Sequence, residues 1–363
     1  MASLAGLRRV SLRRRLSGGA VPGGGVSGGA VPGGAGSSAD VAPEGGPQFG
    51  DVVGDVIAES VTSITVRPED GPAVVIPRDH VVALREVPPQ PVRPASSPDK
   101  VARLIASHWP GLESERLGGW LLRAGGGFTK RANSALVTGD PGMPMVDALS
   151  FVQQWYTQRG LPAHLVVLRA QSDLDLASDA VTSDTGVNTQ WQVVEQVDIL
   201  VGDLRGTTAP TMPAGVEVAD SPSPAWLDLW RGGAAHENPC AVDVLTAFPA
   251  RYLTLVDEAD GTRAIGCTRL VVDRGWAHVA CLEVVPSHRR RGLGRLLMDA
   301  AIAEAVARPG PTPTKFVVVE VSATNDAAHQ LYAGLGMRAH HRARYLRADS
   351  PGQATSPIEP GHG

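Results

Sequence analysis

The stretch VVPSHRRRGLGRLL, residues 284–297, decides how this chain is read. An apolar strand ends at Val285-Pro286, and an apolar helix begins near Leu293. Between them stand Arg289, Arg290 and Arg291, then Gly292 and Gly294, with Arg295 one residue on. Glycine lets backbone approach a ligand without a Cβ collision. The first N–H groups of a helix have no partner within it, and the helix dipole adds positive potential there. Such a junction attracts an anion, and a diphosphate suits four flanking arginines. Taken alone, the same residues also describe an arginine-decorated helix start with glycine in a turn.

The rest of the chain limits what this junction can serve. The 363 residues, 43% hydrophobic and 19% charged, suffice for two or three domains. No apolar run is long enough to span a bilayer, so no membrane partner is expected. A formal net charge of -4 is not that of a nucleic-acid coat, and direct nucleic-acid binding is not expected. Cys240, Cys267 and Cys281 fit neither a disulfide framework nor a zinc site, so no metal is expected and a cytoplasmic location is.

Texture divides the chain into five parts. Residues 1–46 are expected to be a disordered low-complexity tail: the opening is arginine- and serine-rich, acid-free before Asp40, and followed by SGGAVPGG at 17–24 and again at 27–34. A transit peptide or a nucleic-acid arm is the other reading of its start. Residues 47–93 alternate β-branched and polar residues around a break at Glu69-Asp70-Gly71, the pattern of a small SH3-like barrel. Residues 98–205 alternate helix and strand, with Met145, Leu149, Val152 and Tyr156 forming one helical stripe. Residues 213–348 repeat that order, with a hairpin turn at Asp260-Gly261, and 349–363 are expected to be a second tail. The fold class is therefore α/β (α+β), a mixed central sheet flanked by helices, built as a tandem duplication.

Residues 284–294 resemble the acetyl-CoA loop of the GNAT superfamily of N-acetyltransferases, whose pattern is strand, V-x-P, then [QR]-x-x-G-x-[GA] and a helix. About thirty residues on, VEVSATNDAAHQLYAGLGM resembles the superfamily's second signature, as written in ribosomal-protein alanine acetyltransferases. The motifs GWLLRAGGGFTKRANSALVTGDPG and WYTQRGLP resemble an actinobacterial tandem-GNAT, histone acetyltransferase-like group that begins with an SH3-like barrel. The first half lacks an arginine-glycine loop, offering only TGDPGMPMVD, so it is expected to be degenerate and supporting.

The resemblance implies acetyl-CoA as co-substrate and direct attack by a primary amine in a ternary complex. Leu282, Glu283 and Val284 would offer main-chain groups to the pantetheine arm. Residues Arg290, Arg291, Gly292, Leu293, Gly294 and Arg295, with Arg289, would cradle the pyrophosphate, and Asn325 would contact the cofactor. Tyr332, seven residues beyond Asn325, would protonate the departing thiolate, a phenol being a suitable acid toward a thiol. Glu320 matches the glutamate that takes the amine's proton in the ribosomal-protein enzymes. Glu283 is a second candidate, and His278 lies near the strand position where histone acetyltransferases carry their glutamate. Strand geometry sends His278 and Glu283 to opposite faces unless a bulge intervenes. His236 and Glu237, in GGAAHENPC, either line the amine site or belong to a capped loop.

The expected acceptor is a protein amine, a lysine or an N-terminal amine on a basic nucleoid or ribosomal protein. A small amine of aminoglycoside or mycothiol-precursor type is the alternative, as is a non-catalytic acyl-CoA-binding regulator. The oligomeric state stays open.

Overall fold

A computed structural model describes residues 9–16, 49–68, 73–87, 92–168, 181–182, 188–189, 191–208, 210–257, 261, 263–308 and 312–348. The chain separates into two compact units, residues 1–90 and 91–363.

The first unit is a five-stranded antiparallel sheet of SH3-like size: β1 (Arg9–Arg15), β2 (Phe49–Glu59), β3 (Ser63–Pro68), β4 (Val74–Pro77) and β5 (Val81–Glu86), in the order β4-β3-β2-β1-β5. This revises the expectation of a tail over 1–46 and a barrel beginning at 47, because β1 pairs along its length with β2 and on its other side with β5. The physical cause is period-2 alternation. Val10 and Leu12 point into the core with Ile64, Val66 and Ile76, while Arg13 and Arg15 face outward. The two SGGAVPGG repeats and residues 349–363 lie outside the described residues, as does Asp260 of the expected hairpin turn; Gly261 has φ +69°.

The second unit opens with α1 (Pro98–Ser107), β6 (Glu113–Leu117), β7 (Trp120–Ala124), β8 (Ala135–Val137), α2 (Met145–Thr157) and β9 (His164–Leu168). A short pair, β10 (Val181–Thr182) and β11 (Asn188–Thr189), precedes β12 (Trp191–Asp203). There follow β13 (Val216–Ala219), α3 (Pro224–Leu229), α4 (Ala241–Thr246), β14 (Arg251–Val256), β15 (Ala264–Asp273) and β16 (Trp276–Val284). The chain continues through α5 (Leu293–Ala307), β17 (Phe316–Ser322), α6 (Asp326–Gly334) and β18 (Arg338–Ala348).

The halves, expected as successive domains at 98–205 and 213–348, share one eleven-stranded sheet of order β13-β14-β15-β16-β17-β12-β18-β9-β8-β7-β6. They interlock. Strand β12 of the first half lies between β17 and β18 of the second, and β18 in turn pairs with β9. Duplication is visible in two buried arginines. Arg123 on β7 donates to the carbonyls of Ala106 and Trp109 at the end of α1, and Arg269 on β15 donates to those of Leu245 and Phe248 at the end of α4. Each guanidinium thus adds donors to carbonyls at and just beyond a helix end, where the helix's own ladder stops. The core of the second half, under α5 and α6, gathers Leu253, Leu270, Val279, Met298, Ala301, Val319 and Tyr332.

Candidate active site

Strand β16 supplies the first feature of the site. Its parallel ladder with β17 has three rungs and ends at His278 and Val318, although β16 runs on to Val284 and β17 to Ser322. The two strands part into a wedge. Within that stretch Cys281 has φ +57°, and the register against β15 slips between the Cys267–Glu283 and Arg269–Ala280 pairs. The irregularity lies between His278 and Glu283, where a bulge was the condition for both to face the same way. A bulge leaves main-chain groups out of the ladder and turns them toward a neighbour.

Residues 286–295 close one mouth of the wedge. Pro286–His288 form a single 3-10 turn, Arg290 has φ +64°, and Gly292 caps α5 at φ +81° and ψ 0°. A Cβ on Gly292 would meet open space, so glycine is required here by backbone conformation and not by crowding. Gly294 lies where a Cβ would come 3.3 Å from Leu331 and 3.8 Å from Leu282. The arginines divide. Arg289 donates to Val284 O at 2.9 Å and Arg291 to Ser287 O, holding the loop's own shape, while Arg295 reaches Gly334 O and lies 3.7 Å from Asp299. The first N–H groups of the fifteen-residue α5 open beside them. The wedge, the bulge and this loop suit a CoA thioester, because the free N–H groups that open α5 are donors an anion can use. Asn325 caps α6, its Oδ1 accepting from Ala328 N at 3.0 Å.

Glu320, on β17, has an 8% exposed side chain. Its Oε2 accepts from Arg131 Nε at 2.6 Å and lies 3.9 Å from His278 Nε2. Arg131 comes from the first half, in the segment GGGFTKRAN. Tyr332, on α6, is 6% exposed, and burial pushes its phenol up to about 12 against the pull of Arg131. Glu320 and Tyr332 therefore share one cationic neighbour. Arg123, Arg131, Glu320 and Tyr345 line a cavity of about 30 Å³, room for one or two water molecules.

Other expected residues go elsewhere. Glu283 Oε2 accepts from Arg231 N at 2.8 Å, anchoring a left-handed turn in which Arg231, Gly232 and Gly233 all have positive φ. His236 Nε2 lies 2.6 Å from Asp228 in the same region. His278 is fully buried, and burial, the neighbouring His108, Arg269 and Arg131 hold it well below the usual histidine range. Sequence reasoning did not single out Arg131, His108 or Asp273. Only the resemblance of GGGFTKRAN to a known group marked the segment that carries Arg131.

This fold and site define an N-acetyltransferase of the GNAT type, in tandem form. Residues 100–346 match the family described as "Probable histone acetyltransferase Rv0428c C-terminal", and the chain belongs to that family. It is 30% identical over 313 residues to "Probable histone acetyltransferase Rv0428c" of Mycobacterium tuberculosis, covering 85% of this chain and 92% of that protein. It is 26% identical over 249 residues to "Uncharacterized N-acetyltransferase YobR" of Bacillus subtilis, covering 65% of this chain and 93% of that one. A solved "GCN5-related N-acetyltransferase from Kribbella flavida" aligns at 17% identity and TM-score 0.49, over 70% of this chain and 97% of its own. No helix among the described residues is long and apolar enough to cross a membrane.

Proposed function

We propose that this chain moves an acetyl group from acetyl-CoA to a primary amine of a protein, a lysine or an N-terminal amine, by direct attack. The observation that carries the reading is the wedge between β16 and β17, with the glycine-arginine loop at its mouth and Glu320 on its β17 wall. Acetyl-CoA brings the thioester; the chain's residues bind, orient and move protons. Backbone donors around Arg290, Gly292, Leu293 and Gly294 hold the diphosphate, and main-chain groups of Leu282, Glu283 and Val284 hold the pantetheine arm. An amide freed by the Cys281 bulge faces the carbonyl oxygen.

A lysine amine is almost wholly protonated at neutral pH and must lose a proton before it attacks. Glu320 is the acceptor of that proton, with Arg131 fixing its carboxylate. Tyr332 supplies a proton to the departing sulfur, and its burial keeps the phenol protonated until it is used. Glu283 serves the Arg231 turn in this reading, not proton transfer. A protein acceptor is favoured by the histone acetyltransferase description of the relative that is 30% identical. The test is acetyl-CoA-dependent release of free CoA across basic proteins, lysine peptides, aminoglycosides and mycothiol-type amines, with mass spectrometry of each acceptor. Acetylated lysine or N-terminal amine is the expected product. Turnover confined to small amines would replace the protein reading, and no turnover with any of them would remove the reading altogether.

A further inference from the structure

Three side chains outside the proposed chemistry line up behind Glu320. Asp273, at the end of β15, has its Oδ2 3.2 Å from His108 Nε2, and His108 Nδ1 lies 3.0 Å from His278 Nδ1. The remaining nitrogen, His278 Nε2, is buried, has no hydrogen-bond partner, and stands 3.9 Å from Glu320 Oε2. Both imidazole rings are fully buried, and they come from different halves of the duplication.

The protons along this row follow from chemistry. An ionised carboxylate only accepts, so His108 must carry its proton on Nε2. Its Nδ1 is then a lone pair, and His278 must donate from Nδ1. That leaves His278 Nε2 as a lone pair facing Glu320. We infer that Asp273 and His108 are positioning residues that lock His278 in this tautomer, giving Glu320 a built-in acceptor for the proton it takes from the amine. The inference rests on Glu320 being the base.

In the step, an N–H bond of the substrate ammonium breaks and its electron pair stays on nitrogen for the attack. An O–H bond forms at Glu320 Oε2. That O–H donates to His278 Nε2 once the carboxylate closes the 3.9 Å gap to about 2.7 Å, a hydrogen bond between neutral groups. The proton later leaves to solvent as the one released per acetyl transferred, while the second proton lost by the attacking nitrogen replaces the one that Tyr332 gives to sulfur.

The electrostatics agree. Burial raises Asp273, but the His108 hydrogen bond and Arg274 outweigh it and hold the carboxylate below its usual range. Burial lowers His108, Asp273 opposes this, and Arg274 and Arg269 reinforce it. The charged groups facing His278 are Arg269 from β15, Glu320 from β17, and Arg131 from the first half, with His108 beyond α1. Both rings are thus neutral at pH 7, which the tautomer argument requires.

Two experiments test this on the full chain. With 15N-labelled histidine, NMR at pH 7 should show His278 protonated at Nδ1 and bare at Nε2, and His108 protonated at Nε2. In Asp273→Asn the new amide can donate to His108 Nε2, and both tautomers should reverse. Wild-type His278 protonated at Nε2 would overturn the inference, with or without a known acceptor. Kinetically, with a lysine peptide, Asp273→Asn should lower kcat about 10-fold at pH 7, leave KM for acetyl-CoA unchanged, and recover as pH rises toward the amine's own ionisation. A kcat unchanged at pH 7, or a loss equal at every pH, sinks it. Glu320→Gln separates the two readings. If Glu320→Gln turns over normally, the base assignment fails; if it is slow while Asp273→Asn is normal in rate and tautomer, only the positioning role fails.

Discussion

Replacing Arg131 with methionine tests whether the first half completes the site of the second. The guanidinium lies 2.6 Å from Glu320 Oε2, with side chains 22% and 8% exposed. Removing one member of a buried ion pair leaves the other charge without compensation and typically costs about 3–5 kcal/mol. Partial access of water to Arg131 discounts this, so Arg131→Met should destabilise by about 2–4 kcal/mol. Methionine keeps the length of the aliphatic stem, so little of the loss comes from packing. Replacing both partners, Arg131→Met with Glu320→Met, should recover to within about 1 kcal/mol of wild type, since an apolar pair needs no compensation. Urea unfolding followed by tryptophan fluorescence reports the right unit, because all seven tryptophans lie between Trp109 and Trp276. The change should appear in the midpoint at constant m. A single-variant loss under about 1 kcal/mol, or a double variant no better than the single one, would refute the reasoning.

Tyr332→Phe should bind acetyl-CoA as wild type does while turning over at least about 10-fold more slowly, measured by calorimetry and CoA release; equal turnover would remove the acid role. The same variant carries a pH signature. The native phenol keeps its proton to about 12 while the unfolded one loses it near 10, so wild type loses about 2–3 kcal/mol of stability between those values. Relative to wild type, Tyr332→Phe should gain stability over that window and show no such change below it. Gly292→Ala forces a side chain into φ +81° at about 1–2 kcal/mol and should weaken acetyl-CoA binding several-fold; unchanged affinity would place the diphosphate elsewhere. Leu12→Ala, at a fully buried position, should destabilise the N-terminal sheet by about 2–5 kcal/mol, seen as faster amide exchange in β2 and β5. Unchanged exchange would show that β1 is not part of that core.

What could be read from sequence was what neighbouring residues encode together. The 284–297 junction announces strand, turn and helix within fourteen residues, and the second signature does the same through Asn325 and α6. Strand periodicity put His278 and Glu283 on opposite faces unless a bulge intervened, and the structure has an irregularity there, with Cys281 at φ +57°. Strand β1 was obscured for a local reason. Composition marked Arg9–Arg15 as tail, while Val10 and Leu12 in alternate positions were too short a pattern to outweigh the four arginines of that segment.

The sequence by itself therefore determined the acetyltransferase-type loop, the α/β alternation and the candidate pair Glu320 and Tyr332. Tertiary structure alone decided which groups surround them. Arg131 and Glu320 are 189 positions apart, His108 and His278 170, and His108 and Asp273 165. No local propensity encodes such meetings. They exist because β12 and β18 interlock two halves into one sheet, and a buried charge can persist only where that sheet delivers its partner.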